Sequence, residues 1–144
     1  MNTYIGTKII NAKPMTRQEY NDFRGWQLPK DENGNDEGYL VEYLDGGKPN
    51  TAEYAGYVSW SPKAQFEAAY LDIGNVTGLK PHEVRVAGEF ALLSKNIQKL
   101  RTFLLTAAFD SLQQDDKELL TRQLSHMDDY LTVLAVRYIG FKKD

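Results

Sequence analysis

Apolar positions in the second half of the chain recur with helical spacing. Val86, Phe90, Leu93, Ile97, Leu100, Leu104 and Ala107 step by 4, 3, 4, 3, 4, 3, and Leu120, Leu124, Met127, Leu131, Leu134, Tyr138 and Phe141 repeat the same steps. Both runs are a/d seams, which keep one apolar edge turned toward a partner helix. Asp110 to Gln114 breaks the repeat, and Asp115, Asp116 and Glu118 suit the N-terminal end of a new helix. The pattern predicts two antiparallel helices of roughly 25 residues, each about 37 Å long at 1.5 Å per residue. A second stripe is left over: Val84, Leu92 and Phe103 on the first helix, Leu119, Tyr130, Val133 and Val136 on the second. Two helices share one mutual interface, so this stripe needs another partner. Leaving three or four such side chains in water forgoes several kcal/mol at ~25 cal/mol per Å². The first half of the chain can cover part of it; self-association, as a symmetric dimer or a multiple of one, is expected for the rest.

Before Leu79-Lys80-Pro81 the grammar differs. Tyr4 to Ala12 reads as a strand with Ile5, Ile9 and Ile10 as anchors, ended by Pro14. Thr16-Arg17-Gln18-Glu19 has the form of a capping box and predicts a short helix to about Arg24, stopped by Gly25. Lys30 to Gly38 is a polar loop, Gly38 to Leu44 a strand, and Asp45-Gly46-Gly47 turn chemistry extended by Lys48 to Ala55. Gly56 to Trp60 alternates as a further strand. Ser61-Pro62 reads as an N-cap with Pro at the first helical position, predicting a helix over Lys63 to Tyr70. Leu71 to Val76 is a candidate edge strand. The expected fold class is therefore α+β: residues 1–79 form a small antiparallel sheet with short helices, and residues 80–144 form a long antiparallel two-helix hairpin that mediates oligomerisation.

Charge and composition narrow the function. The net charge of −3 argues against a binder of nucleic acid polymers, which shows a basic face. It leaves room for a small phosphorylated ligand held by one or two arginines. With no cysteine there is no disulfide framework and no thiol nucleophile, and with two histidines a His-rich metal site is not expected. The N-terminal MNTYIGTKIINAKP has no apolar core of a signal peptide, and no apolar run approaches the ~20 residues of a membrane span, so a cytosolic protein is expected.

No catalytic signature stands out: there is no G-x-S-x-G, P-loop, H-E-x-x-H or dinucleotide fingerprint. Asp45-Gly46-Gly47-Lys48 lacks the strand–loop–helix setting of a phosphate loop and reads as a turn. Asp115-Asp116 and Asp128-Asp129 are adjacent on a helix and point about 100° apart, so neither is a shared carboxylate site. No enzyme activity, metal or cofactor is expected. A planar ligand with phosphates needs an aromatic face and a guanidinium fork. Phe23-Arg24-Gly25-Trp26 supplies both within four residues, with Tyr57, Trp60 and Phe66 as further candidates; core packing is the competing role for Trp26 and Trp60. His82, in the first turn of the first long helix, is either a surface residue or a ligand contact, and His126 suits packing or an interface. Arg85 and Glu89 have i, i+4 spacing and form a simple surface ion pair in the plainest reading.

The residues also carry a resemblance. Ile5 to Arg17, Tyr20, Arg24-Gly25-Trp26, Gly38-Tyr-Leu-Val-Glu-Tyr43 and Gly56-Tyr-Val-Ser-Trp-Ser-Pro62 resemble a small protein of tailed bacteriophages. His82-Glu-Val-Arg-Val86, Ile97-Gln-Lys-Leu100 and the run Leu119-Leu120, Gln123-Leu124, Met127, Tyr130 look like the helical hairpin of phage anti-defence sponges. These are the first Thoeris anti-defence family, which the whole chain resembles most, and the second anti-CBASS family. The resemblance implies a non-enzymatic protein acting in the host bacterial cytoplasm. It would sequester cyclic ADP-ribose isomers of Thoeris and, in some members, cyclic di- or trinucleotides of CBASS. It implies a homo-oligomer, dimer or hexamer, with ligand held between protomers. Carried over by motif, the ligand-binding candidates are Arg24 and Arg85, with Trp26, Trp60, Phe66, His82, Phe90, Asn96, Lys99 and Arg101 beside them. Gly88, in Val86-Ala87-Gly88-Glu89, departs from the more polar stretch expected there and marks either close helix approach or an altered ligand range. The competing function is a protein-interaction module that blocks a host factor through the acidic N-terminal half, around Asp31, Glu32, Asp36 and Glu37.

Overall fold

Local capping chemistry organises the first half of the chain, as a computed structural model that describes residues 1–142 makes clear. The helix α1 (Arg17–Arg24) starts at Thr16, whose hydroxyl accepts from the Glu19 N–H at 3.2 Å while the Glu19 carboxylate accepts from the Thr16 N–H at 3.1 Å. It stops at Gly25, whose φ of 70° needs a residue without Cβ, and the Trp26 N–H then donates to the Asn21 carbonyl at 2.8 Å. The polar loop after it is not idle. The Asp36 and Gly34 carbonyls accept from the Arg17 and Gln18 N–H groups at 2.9 and 3.0 Å, supplying partners that the first helical turn lacks.

Strands β1 (Ile10–Pro14), β2 (Gly38–Tyr43) and β3 (Val58–Pro62) form an antiparallel sheet in that order, with Ile10 opposite Tyr43 and Leu40 opposite Trp60. Helix α2 (Lys63–Ala69) follows β3 directly. The core gathers Tyr20 of α1 with Leu40 and Val58, and Met15, Phe23, Tyr54 and Trp60 pack around it. On the other face of β2 the Tyr39 ring stacks on Phe66 of α2, with centroids 4.0 Å apart. Gly38 is required by closeness, because a Cβ there would run into the Ser61 carbonyl and the Trp60 ring.

The second half is helical: α3 (Pro81–Leu104), the short α4 (Ala107–Asp110) and α5 (Gln114–Phe141). α3 and α5 lie antiparallel, since His82 meets Phe141, Phe90 meets Tyr138 and Arg101 meets Asp128. Ile97 and Leu134 are the fully buried long side chains of this pair. The fold is α+β, as the sequence implies. The chain divides into two compact units, Met1–Tyr70 and Leu71–Asp144; the expected hairpin region ends at residues 143 and 144, outside the described residues.

Several expected boundaries move. The first strand begins at Ile10, not Tyr4, because its partner β2 ends at Tyr43 and leaves earlier residues nothing to pair with. Pro14 is the last residue of this edge strand, as expected, where a missing N–H costs no ladder bond. Ser61 does not cap α2; it belongs to β3 opposite Tyr39, and Pro62 holds the N-cap position. Leu71 to Val76 is not a strand. The Asp72 and Asn75 side chains accept from the Gly74 and Thr77 N–H groups at 2.7 and 2.9 Å, and Gly74 sits at φ 81°, so the segment turns repeatedly. The first long helix ends at Leu104, and Ala107 opens α4, where the Thr106 hydroxyl accepts from the Phe109 N–H.

Candidate functional site

One face of α1 builds a cleft. Arg17, Tyr20, Asn21 and Arg24 are spaced i, i+3, i+4, i+7 and therefore line up along the helix. They border a cleft of about 540 Å³ closed by Trp26, Gln27, Pro29 and Glu32 on the loop side and by Tyr57 to Trp60 at β3. The volume lies within the range of small-molecule sites.

Its chemistry is two arginine–tryptophan stacks. The Arg24 guanidinium sits 4.3 Å from the Trp26 ring centroid, and that of Arg17 sits 4.4 Å from the Trp60 ring. Trp60 is fixed by its indole N–H, which donates to the Met15 carbonyl at 2.7 Å. Arg24 Nη1 donates to the Tyr20 hydroxyl at 2.9 Å, and the Tyr20 ring stands edge-on to Trp26. Arg17 also faces Glu32 at 3.4 Å and Asp36 at 3.3 Å. Among the described residues, no cluster of three metal-ligating side chains is present.

The structure thus brings together Arg24, Trp26, Tyr57 and Trp60 of the expected residues. Phe66 lies elsewhere in the same unit, held in the Tyr39–Phe66–Tyr70 stack. Arg17 and Asn21 line the cleft without having been anticipated, and Glu32, expected only as part of an acidic docking surface, lines it too. Arg17 is readable in hindsight, since it lies two helical turns before Arg24. Of the acidic residues suspected of docking a host factor, Glu32 and Asp36 are turned to Arg17, and Glu37 accepts from Lys63 at 3.1 Å. The Asp45-Gly46-Gly47 segment is a turn: Asp45 accepts from the Gly47 N–H and from Lys8 Nζ, which draws the Asp45 carboxyl below its ordinary range and raises the Lys8 ammonium.

The remaining expected residues lie on α3. Phe90 belongs to the seam, with its ring stacked on Tyr138 at 6.0 Å, and Arg101 Nη2 donates to both carboxylate oxygens of Asp128 at 2.7 and 2.8 Å. His82 is exposed, with its ring edge-on to Phe141. Glu89 does not pair with Arg85; it accepts from the Tyr130 hydroxyl, which raises the Tyr130 phenol above its usual value. His82, Arg85, Glu89, Leu92, Asn96 and Lys99 follow a 3, 4, 3, 4, 3 spacing and are all exposed, so they form one stripe. The Glu89–Tyr130 bond joins it to an exposed α5 stripe through Leu119, His126, Tyr130, Val133 and Arg137. The leftover apolar side chains expected from the sequence are largely on the surface: Leu92, Leu119, Val133 and Val136 are all more than half exposed. Gly88 has open space around it, with nothing within 4 Å of an added Cβ, so close helix approach within the chain is not its role.

Residues 80–138 match the family model of Sequestin, a span that takes in α3, α4 and nearly all of α5 and none of the first unit. No curated protein and no solved structure matches the chain.

Proposed function

We propose that this protein is a non-catalytic sponge that binds small nucleotide immune signals and withholds them from their receptors. The observation that carries this reading is the match of residues 80–138 to the Sequestin family, whose name denotes sequestration. In finer detail, we propose a phage anti-defence protein acting in the host bacterial cytoplasm. Its ligands would be cyclic ADP-ribose isomers of Thoeris and cyclic di- or trinucleotides of CBASS. Two features of the chain support a binding role. The cleft of the first unit offers guanidinium and aromatic surface, the pairing that suits a nucleotide. The hairpin presents His82, Arg85, Asn96 and Lys99 beside exposed Leu92 and Val133, a mixed polar and apolar face suited to a ligand or a second copy of the chain. Assembly as a dimer or hexamer belongs to the same proposal, since it would remove the α5 apolar side chains from water.

Incubation with cyclic ADP-ribose isomers and cyclic trinucleotides, followed by removal of the protein on a filter, tests the reading. A sponge depletes the filtrate, and heat denaturation returns the ligand intact. Recovery of a linear or hydrolysed product, or an undepleted filtrate, refutes it.

A further inference from the structure

The two arginines of the first-unit cleft are not equivalent. Arg17 is already turned to two carboxylates, Glu32 and Asp36. Arg24 has no carboxylate within ion-pair distance among the described residues; it spends one N–H on the Tyr20 hydroxyl, out of the five a guanidinium carries. An incoming anion therefore meets Arg24 as the open cation. Beside it, Trp26 keeps half of its surface exposed although Arg24 lies over the ring, and Tyr57 is exposed to 47%. Aromatic area and one free guanidinium thus stand together, all supplied by one chain. The ionised side chains lining the cleft are Arg17, Arg24 and Glu32, which sum to a single positive charge.

We infer that this cleft is a self-contained site for a planar aromatic group bearing one phosphate, the chemistry of a nucleotide with a single phosphodiester. Glu32 and Asp36 act in it as specificity residues. By occupying Arg17 they withhold the guanidinium that a second phosphate would need, and the Glu32 carboxylate repels a further anion. The base lies against Trp26, and the phosphate takes the free donors of Arg24. This goes beyond the sponge reading: cyclic ADP-ribose isomers and cyclic di- or trinucleotides carry two or more phosphates, so the cleft takes a different, singly phosphorylated ligand, and it shares with that reading only Arg24 and Trp26 as ligand contacts.

The chain carries its own reporter. Its two tryptophans, Trp26 and Trp60, both line this cleft, so indole fluorescence reads the cleft alone. The full-length protein is titrated with 3′,5′-cyclic AMP, adenosine, ADP and inorganic phosphate. Cyclic AMP is expected to bind at least about tenfold more tightly than adenosine or phosphate, the scale of a charge-assisted contact, and ADP to gain nothing over it. Arg24→Gln removes the advantage over adenosine. Glu32→Gln combined with Asp36→Asn raises ADP affinity about tenfold relative to cyclic AMP, because a second guanidinium becomes available. Four outcomes overturn the inference: no fluorescence response to any probe, equal binding of adenosine and cyclic AMP, preference for ADP in the unmodified protein, or an unchanged ADP to cyclic AMP ratio in the double variant. Failure of the filtration assay would refute sequestration of immune signals and leave these titrations standing. Failure of the titrations would leave the hairpin face as the carrier of sequestration.

Discussion

Replacing Asn50 should unfold the first unit more readily than any change of an exposed loop residue. Asn50 makes a two-point contact with one buried residue: its Nδ2 donates to the Val58 carbonyl at 2.8 Å, and its Oδ1 accepts from the Val58 N–H at 2.8 Å. Val58 is 1% exposed and opens β3 within the core that holds Tyr20 and Leu40. Asn50→Ala strips both backbone groups of their partner. Each unpaired buried polar group costs about 1–3 kcal/mol, so the pair should lose about 2–6 kcal/mol. In a unit of this size that lowers the melting temperature by about 10 °C or more. Asn50→Asp keeps the shape and the accepting oxygen but sets a carboxylate against the Val58 carbonyl. It should be at least as damaging at neutral pH and recover in part on acidification, as the carboxyl takes up the proton that the Val58 carbonyl can accept. Urea unfolding followed by tryptophan fluorescence reads the unit directly, because Trp26 and Trp60 both belong to it. A loss below about 0.5 kcal/mol for the alanine variant, the scale of an ordinary surface change, would refute the reasoning.

Leu134→Ala removes a side chain 1% exposed from the α3–α5 seam and should cost about 3–5 kcal/mol, measured by urea unfolding followed at the helical circular dichroism band. Gly88→Ala should stabilise α3 by about 1 kcal/mol on the same measurement, because the residue is mid-helix and an added methyl meets nothing. Glu89→Gln should return the Tyr130 phenol toward its ordinary value in an alkaline titration followed by tyrosinate absorbance. The raised value means that the folded state holds the phenolic proton more tightly. Its contribution to stability is therefore full below about pH 10 and fades as pH rises through the raised value, and the variant should lose that dependence.

What the sequence alone determined is local. Every seam position from Val86 to Leu104 and from Leu120 to Phe141 is buried or half-buried, because a 3.6-residue repeat places those side chains on one edge whatever the rest of the chain does. The Thr16–Glu19 capping box and the Gly25 stop were equally legible, since caps act over three or four residues. What only the tertiary structure decided depends on residues far apart in the chain. The first strand lost its opening residues because β2 ends at Tyr43, a limit set across the sheet and invisible to β propensity. Trp60 became a wall of the cleft through its bond to Met15, 45 positions away, while Phe66, an equally plausible aromatic by sequence, was drawn to Tyr39. Asn50, read only as part of a loop, closes the start of β3. The same sequence spacing that offers Arg17 and Arg24 as equals cannot tell that the loop carboxylates fold back onto one and leave the other open. That inequality is an electrostatic property of chain closure, and it leaves Arg24 as the open cation of the cleft.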